Sequence, residues 1–227
     1  MYNLPKSIFA LIKNFFYNDH EYDFINKEDI FMTKIYLTRH GQTLFNVRKK
    51  IQGASDSPLT ALGIYQAQVA HDYFKNAGIT FDAAYSSTSE RASDTLEIMA
   101  GPDMPYTRLK SLKEWNFGVF ESESENLNPP LPYGDFFVQY GGEGQEEFKE
   151  RAVKAMQDLV ANDQSNHILV VSHGAFCANA LRGLTGFKGY ASADLGFTNC
   201  STMVFNVEDG VFTLDEVINH DFSGFEG

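Results

Sequence analysis

From Met32 onward, short runs rich in apolar and β-branched residues alternate with stretches in which apolar residues recur every three or four positions. That alternation predicts strand and helix in turn, hence an α/β fold built on a largely parallel sheet. Lys34 to Thr38 reads as a strand. Leu62, Tyr65, Val69 and Tyr73 then recur at helical spacing between the N-cap candidate Thr60 and a stop at Gly78. Asp82 to Tyr85 reads as a short strand, and the run Ser86 to Ser89 as the cap of a helix reaching about Ala100. Phe148, Ala152, Ala155 and Leu159 mark another helix, His167 to Val171 a buried strand, and Gly174 to about Leu184 a further helix. Thr202 to Val207 and Val211 to Val217 predict a hairpin turning at Asp209-Gly210. Phe117 to Gly144, which holds Pro129, Pro130, Pro132 and Gly134, reads as a long loop or lid. Residues 32–227 are thus expected to form one domain.

Residues 1–31 behave differently. Ile8, Phe9, Leu11, Ile12, Phe15 and Phe16 give weak helical patterning, and an acidic stretch from Asp19 to Asp29 follows with little periodicity. The apolar run Ser7 to Phe16 is broken by Lys13 and is far shorter than the ~20 residues of a membrane span, so neither an anchor nor a signal peptide is expected. Two readings stand side by side. The segment is a surface helix or interaction arm, or it lies upstream of a true start at Met32, since Lys27-Glu28-Asp29 can be encoded by a ribosome-binding-type sequence.

Composition narrows the function. Against 30 Asp and Glu stand 18 Lys and Arg, a net charge of −12, which disfavours nonspecific binding to nucleic acid or to an anionic membrane surface. An anionic substrate therefore needs a local cationic pocket. Two cysteines, Cys177 and Cys200, form neither a disulfide framework nor a metal-type CxxC spacing, which fits a cytoplasmic protein.

Chemistry concentrates at two strand ends. The strand from Lys34 runs into Thr38-Arg39-His40-Gly41, and the strand from His167 runs into Ser172-His173-Gly174. Ligands of open α/β sheets sit beyond the carboxyl ends of strands, and a glycine there lets amides at a helix start face an anion. His40 and His173 are therefore expected to meet over one pocket, whereas His20, His71, His167 and His220 read as structural or surface residues. A zinc site would want three or four ligands at short spacing, and neither His40 nor His173 has such a neighbour in sequence. Lys34 to Ser55 carries Lys34, Arg39, Arg48, Lys49 and Lys50 with no acidic residue. Arg91 opens a helix after Ser86-Ser87-Thr88-Ser89, and bidentate arginine contacts suit phosphate.

The segments TRHGQTLFN, QG, SPLTALGIYQAQ, YSSTSERASDT, LKEWNFGVFE, GGEG and VVSHG, spanning about Lys34 to Val207, resemble the histidine phosphatase (phosphoglycerate mutase-like) superfamily. The resemblance implies a three-layer α/β/α sandwich, no metal or other cofactor, and a phosphohistidine intermediate. It makes His40 the nucleophile, Arg39, Arg91 and His173 the rest of the phosphate pocket, and Glu114 the proton donor. It adds Asn46, Gln52, Gly53 and Gly174 to the substrate-binding set. Glu121 is the alternative proton donor, in a GxxEG-like stretch where Ser122 stands at a position commonly held by glycine. His173 would serve best protonated. Burial beside Trp115 would raise the Glu114 pKa, with neighbouring Arg and His charge opposing.

The stretch from Glu114 through Phe148 contains no Lys or Arg but holds Glu121, Glu123, Glu125, Asp135, Glu143, Glu146 and Glu147. Such a lid disfavours the carboxylate and second phosphate that a mutase must grip. Its aromatics, Trp115, Phe117, Phe120, Tyr133, Phe136, Phe137 and Tyr140, divide between packing and an apolar leaving-group pocket. The expectation is a metal-independent phosphomonoesterase acting on a small phosphorylated metabolite, monomeric or homodimeric. A cofactor-dependent phosphoglycerate mutase, using Lys49, Lys50 or Lys113 for the distal charge, is the alternative.

Overall fold

The computed structural model describes residues 32–226, and both readings of residues 1–31 fall outside that range. In chain order the elements are β1 (Thr33–Arg39), α1 (Leu44–Val47), α2 (Ala61–Asn76), β2 (Ala83–Ser87), α3 (Glu90–Ala100) and β3 (Thr107–Leu109). Then come α4 (Gln145–Asn162), β4 (His167–Ser172), α5 (Gly174–Thr185), α6 (Ala191–Asp194), β5 (Thr202–Glu208) and β6 (Val211–Ile218). The strands form one sheet in the order β3-β2-β4-β1-β5-β6. β3, β2, β4 and β1 run parallel, and the hairpin β5–β6 adds two antiparallel strands at one edge.

Strand alternation creates the layers. Ile35, Leu37, Ile168, Val170, Met203 and Phe205 pack on one face with α4 and α5, through Phe148, Ala152, Met156, Phe176 and Leu181. Their sequence neighbours Tyr36, Leu169, Val171 and Val204 pack on the other face with α2 and α3, through Ala67, Ala70, Phe74, Leu96 and Met99. A sheet with helices on both faces is the expected three-layer sandwich. Thr60 caps α2, its hydroxyl accepting from the Gly63 amide at 3.0 Å. Asp209 (φ 48°) and Gly210 (φ 76°) take the two left-handed positions that a tight hairpin turn requires.

Three expectations need correction. Ser89 sits at the N-cap of α3, but its hydroxyl makes no capping bond, and the Asp56 carboxylate from a distant loop accepts the Glu90 amide instead. β3 and α1 carry no readable period because they are three and four residues long. The lid is an ordered layer rather than an open loop: single 3₁₀ turns at Gly118–Phe120, Glu125–Leu127 and Val138–Tyr140 surround the fully buried Phe137.

Candidate active site

Register explains how two distant motifs meet. β1 and β4 are parallel neighbours with Arg39 opposite Ser172, so the next residue on each strand is a histidine. The His40 and His173 rings lie 5.3 Å apart between centroids. His40 is clamped by its backbone: its amide donates to the Ser172 carbonyl (3.0 Å), and its carbonyl accepts from Asn199 Nδ2 (2.9 Å). Asn199 carries no sequence signal for this role, since its partner lies 159 residues away. Gly41 is required by a close approach, because a Cβ there would sit 2.5 Å from the Gly63 carbonyl oxygen of α2. Its amide donates to Thr95 Oγ1 rather than facing an anion, contrary to the expectation for this glycine.

Hydrogen bonds define the state of His40. Nδ1 lies 2.8 Å from the Gly41 carbonyl, which only accepts, so Nδ1 carries the proton. Nε2 is then a lone pair, and Arg91 Nε donates to it at 3.3 Å. Burial, then the Arg91 and Arg39 charges, hold the His40 pKa well below its usual value. The depressed pKa favours a neutral ring whose Nε2 lone pair meets Arg91 Nε.

Arg91 is fully buried and aimed by a single turn. Nη1 donates to the Ser55 carbonyl (2.9 Å) and to the Asp56 carboxylate (2.9 Å), and Nη2 donates to the Gly53 carbonyl (3.0 Å). With the Gln52 amide turned so that its oxygen faces Arg91, it accepts from Nε at 3.0 Å while its nitrogen donates to Thr43 Oγ1. Gln52 and Gly53 thus contact Arg91. Asn46 is committed to structure at its oxygen, which accepts the Thr43 amide (3.0 Å) in the capping box of α1, leaving its NH₂ group for a ligand.

Among the buried polar atoms without a partner in the described residues, two flank the paired histidine motifs, Arg39 Nε and His173 Nδ1. His173 Nε2 lies 2.8 Å from Ser87 Oγ, which already accepts the Ser89 amide and so is free to donate its hydroxyl proton to Nε2. That leaves the His173 proton on Nδ1. Gly174 lies against Arg39: a Cβ on it would be 3.3 Å from Arg39 Nε. Unpartnered donors beside a cationic pair suit an oxyanion. Burial, then the Arg91 charge, push the His173 pKa well down, which favours a neutral donor over the protonated ring that would serve best.

Glu114 occupies the start of α5. Oε2 accepts from the Ala175 amide (2.9 Å), and Oε1 accepts from Phe176 and from Trp115 (both 3.0 Å). The anion that the amides of this helix start face is therefore the protein's own carboxylate. Its pKa is raised by burial, against the pull of these amides and of Arg91 and Arg39, in the direction expected. Glu121, the alternative donor, has the opposite character: hydrogen bonds from Ser55, Phe117 and Ala54 outweigh burial and lower its pKa.

The remaining candidates sort cleanly. Lys34 lies at the opposite end of β1 and pairs with Asp215 (3.0 Å), Arg48 and Lys49 are exposed and Lys50 is half-buried, while Arg39 directly precedes His40 and lies against Gly174. His71 and His167 bond backbone carbonyls through Nδ1. Trp115 is buried with its Nε1 on the Glu143 carbonyl (2.8 Å) and its ring stacked 4.9 Å from Phe148. Phe117, Phe120, Tyr133, Phe136, Phe137 and Tyr140 pack on one another. These aromatics are the core of the lid. Among the described residues no group of three or more His, Cys, Asp or Glu could hold a metal ion, and no helix is long and apolar enough to cross a membrane.

Ser122 adopts φ 69°, a left-handed conformation that costs a non-glycine residue ~1–2 kcal/mol. Ser122→Gly is expected to raise stability by up to ~1 kcal/mol, part of the gain being offset by the freer unfolded chain. A urea melt of the two proteins checks this, and a lower midpoint for the glycine variant refutes it.

A model of the histidine phosphatase superfamily (branch 1) matches residues 35–220. A Proteus mirabilis protein named "Probable phosphoglycerate mutase GpmB" is 33% identical over 181 residues, which cover 75% of this chain and 83% of that protein. Phosphoserine phosphatase from Entamoeba histolytica, solved with 3-phosphoglyceric acid, superposes with a TM-score of 0.69 at 29% identity, covering 84% of this chain and 98% of that one. Phosphoglycerate mutase from Bacillus anthracis gives 0.68 at 27% identity, covering 82% and 92%.

Proposed function

Because the chain belongs to the histidine phosphatase superfamily, we propose that it is a metal-independent phosphomonoester hydrolase acting through a phosphohistidine on His40. The observation that carries this is the state of His40: Nδ1–H held by the Gly41 carbonyl, and an Nε2 lone pair beside Arg91 Nε. In the first step Nε2 attacks phosphorus in line, the bond to the leaving oxygen breaks, and that oxygen takes the Glu114 proton. Arg39, Arg91 and His173 Nδ1 stabilise the equatorial oxygens. In the second step water attacks phosphorus and gives its proton to Glu114, and the N–P bond breaks. Because Nδ1 keeps its proton throughout, His40 departs as neutral imidazole, a far better leaving group than an imidazolide anion.

Hydrolysis is favoured over mutation by what the lid lacks. Residues 114–148 hold no Lys or Arg. Of the next two cations, Lys149 pairs with Glu146, and Arg151 is consumed by both Glu143 oxygens (2.7 and 2.8 Å) and by the carbonyls of Ser111, Lys113 and Glu114. The likeness to proteins named as mutases favours the second reading, a phosphoglycerate mutase with Lys113 or Lys49 and Lys50 on the distal charge.

Parallel assays without added metal separate the two, on simple phosphomonoesters and on 3-phosphoglycerate primed with bisphosphoglycerate. Phosphate release without 2-phosphoglycerate is expected, and fast interconversion with little release would overturn the hydrolase reading. The same assay tests Glu114. Turnover should fall as pH rises through its raised pKa, since the proton donor is lost there. Glu114→Gln should remove that limb together with ~10²–10⁴-fold of kcat. The loss should be larger for an alkyl phosphate, whose alkoxide needs the proton, than for p-nitrophenyl phosphate.

A further inference from the structure

Glu121 belongs to the lid, yet its carboxylate is spent on the turn that aims Arg91. It accepts from the Gly53 amide (3.0 Å), the Ala54 amide (2.7 Å), the Ser55 amide (2.9 Å), Ser55 Oγ (2.7 Å) and the Phe117 amide (3.0 Å). Three successive amides converging on one point form a nest that favours an anion, and here the anion is built into the chain. The opposite side of the turn faces Arg91. The peptide unit joining Gly53 to Ala54 gives its N–H to Glu121 and its carbonyl to Arg91 Nη2 (3.0 Å). One rigid peptide plane thus links a lid carboxylate to the guanidinium beside His40.

The surrounding contacts leave this turn no independent position. A Cβ on Gly53 would lie 1.9 Å from the Trp115 carbonyl oxygen and 2.7 Å from Phe117 Cδ2, so only glycine lets the turn close against the lid. Backbone bonds zip the two segments further: Ile51 donates to the Glu123 carbonyl (2.8 Å), Ser122 to Ile51 (2.9 Å) and Glu125 to Lys49 (2.9 Å). Glu121 is the charged group within this seam. A carboxylate on one side of the peptide plane also polarises its carbonyl, strengthening the acceptor that Arg91 meets.

We infer that Glu121 is a positioning residue for phosphoryl transfer, one that fixes the aim of Arg91 through the Gly53–Ala54 peptide and so makes an ordered lid a condition of a competent phosphate pocket. This rests on the assignment of Arg91 to the transfer site. Glu121 touches neither the substrate nor the attacking nitrogen. Its effect reaches the reaction only through the guanidinium, so it should govern kcat and phosphate affinity together.

The test uses chemical rescue. Glu121→Ala empties the nest without introducing a new donor, and formate is small enough to re-enter it. The full chain and its Glu121→Ala and Glu121→Gln variants are assayed for p-nitrophenyl phosphate turnover in buffer free of other carboxylates, with and without formate. Phosphate affinity is measured by calorimetry and melting by circular dichroism. Both variants should lose at least tenfold in kcat and in phosphate affinity. Formate should restore several-fold of the loss in Glu121→Ala while leaving Glu121→Gln, whose nest is still filled, and the wild type unchanged. Unaltered kcat in both variants would overturn the inference. So would a loss that tracks a fallen melting temperature and ignores formate, since that marks a merely structural role. Inactive wild type that binds no phosphate would instead remove the functional reading beneath it. Should Glu121→Ala not fold, a folded Glu121→Gln with unchanged kcat and phosphate affinity refutes the inference, and a tenfold loss of both supports it.

Discussion

His40→Ala is expected to eliminate phosphomonoester turnover, with kcat falling by at least ~10⁴-fold, because a nucleophile has no substitute when the reaction is split into two transfers. The protein should remain folded. The His40 side chain bonds only the Gly41 carbonyl and Arg91 Nε, and its backbone clamps to Ser172 and Asn199 survive the substitution. Labelled substrate quenched in alkali, where phosphohistidine survives, should mark the wild type and leave the variant unlabelled. Equal labelling of both proteins would place the covalent intermediate elsewhere. The pH dependence of labelling carries a second check. The depressed His40 pKa keeps the ring neutral until the medium is well below its usual titration range, so the labelling burst should persist into mild acid.

Arg91→Ala should have the next largest effect, and it should strike activity and stability together. Removing a guanidinium that compensates transferring phosphoryl charge costs on the order of 10³–10⁵ in rate. The substitution also strands the Asp56 carboxylate and the Gly53 and Ser55 carbonyls, which together hold this fully buried side chain. Breaking a buried pair by deleting one partner costs about 3–5 kcal/mol, tempered here because Asp56 is partly exposed. Arg91→Lys should recover charge without geometry, since an ammonium cannot meet the turn and His40 Nε2 at once. Measuring kcat/KM and thermal melting for both variants checks this. A lysine variant with near-native kcat/KM would mean that charge alone, and not the fork, serves the reaction.

Much of this was legible in the sequence because the information is local. An apolar strand running into His-Gly announces itself twice, at Arg39-His40-Gly41 and at Ser172-His173-Gly174, and parallel pairing of β1 with β4 does the rest. Thr60 and the Asp209-Gly210 turn are equally local, and both form as read. What stayed hidden depends on partners far along the chain. Asp56 caps α3 from 34 residues away, and Glu121 reaches the Gly53 turn across 68. No spacing rule reports such pairs. The lid aromatics show a related limit: composition cannot say which ring a ring will meet, and here Phe137 gathers Phe117, Tyr133 and Phe136 around it. Protonation was the last missing piece, because burial of His173 counts against its charge and sequence contains no measure of burial.

The position of β1 bears on how the protein is made. β1 is the first of the described strands to be synthesised, yet its two neighbours in the sheet are β4 and β5, among the last. His40 therefore leaves the ribosome long before Ser172 and Asn199, which clamp its backbone, exist. Contacts so distant in sequence slow folding and leave apolar strands uncovered meanwhile. A chain cut before Asn199 carries His40 without that clamp. On the chemistry proposed for His40, a product cut short of Asn199 is expected to turn over no phosphomonoester.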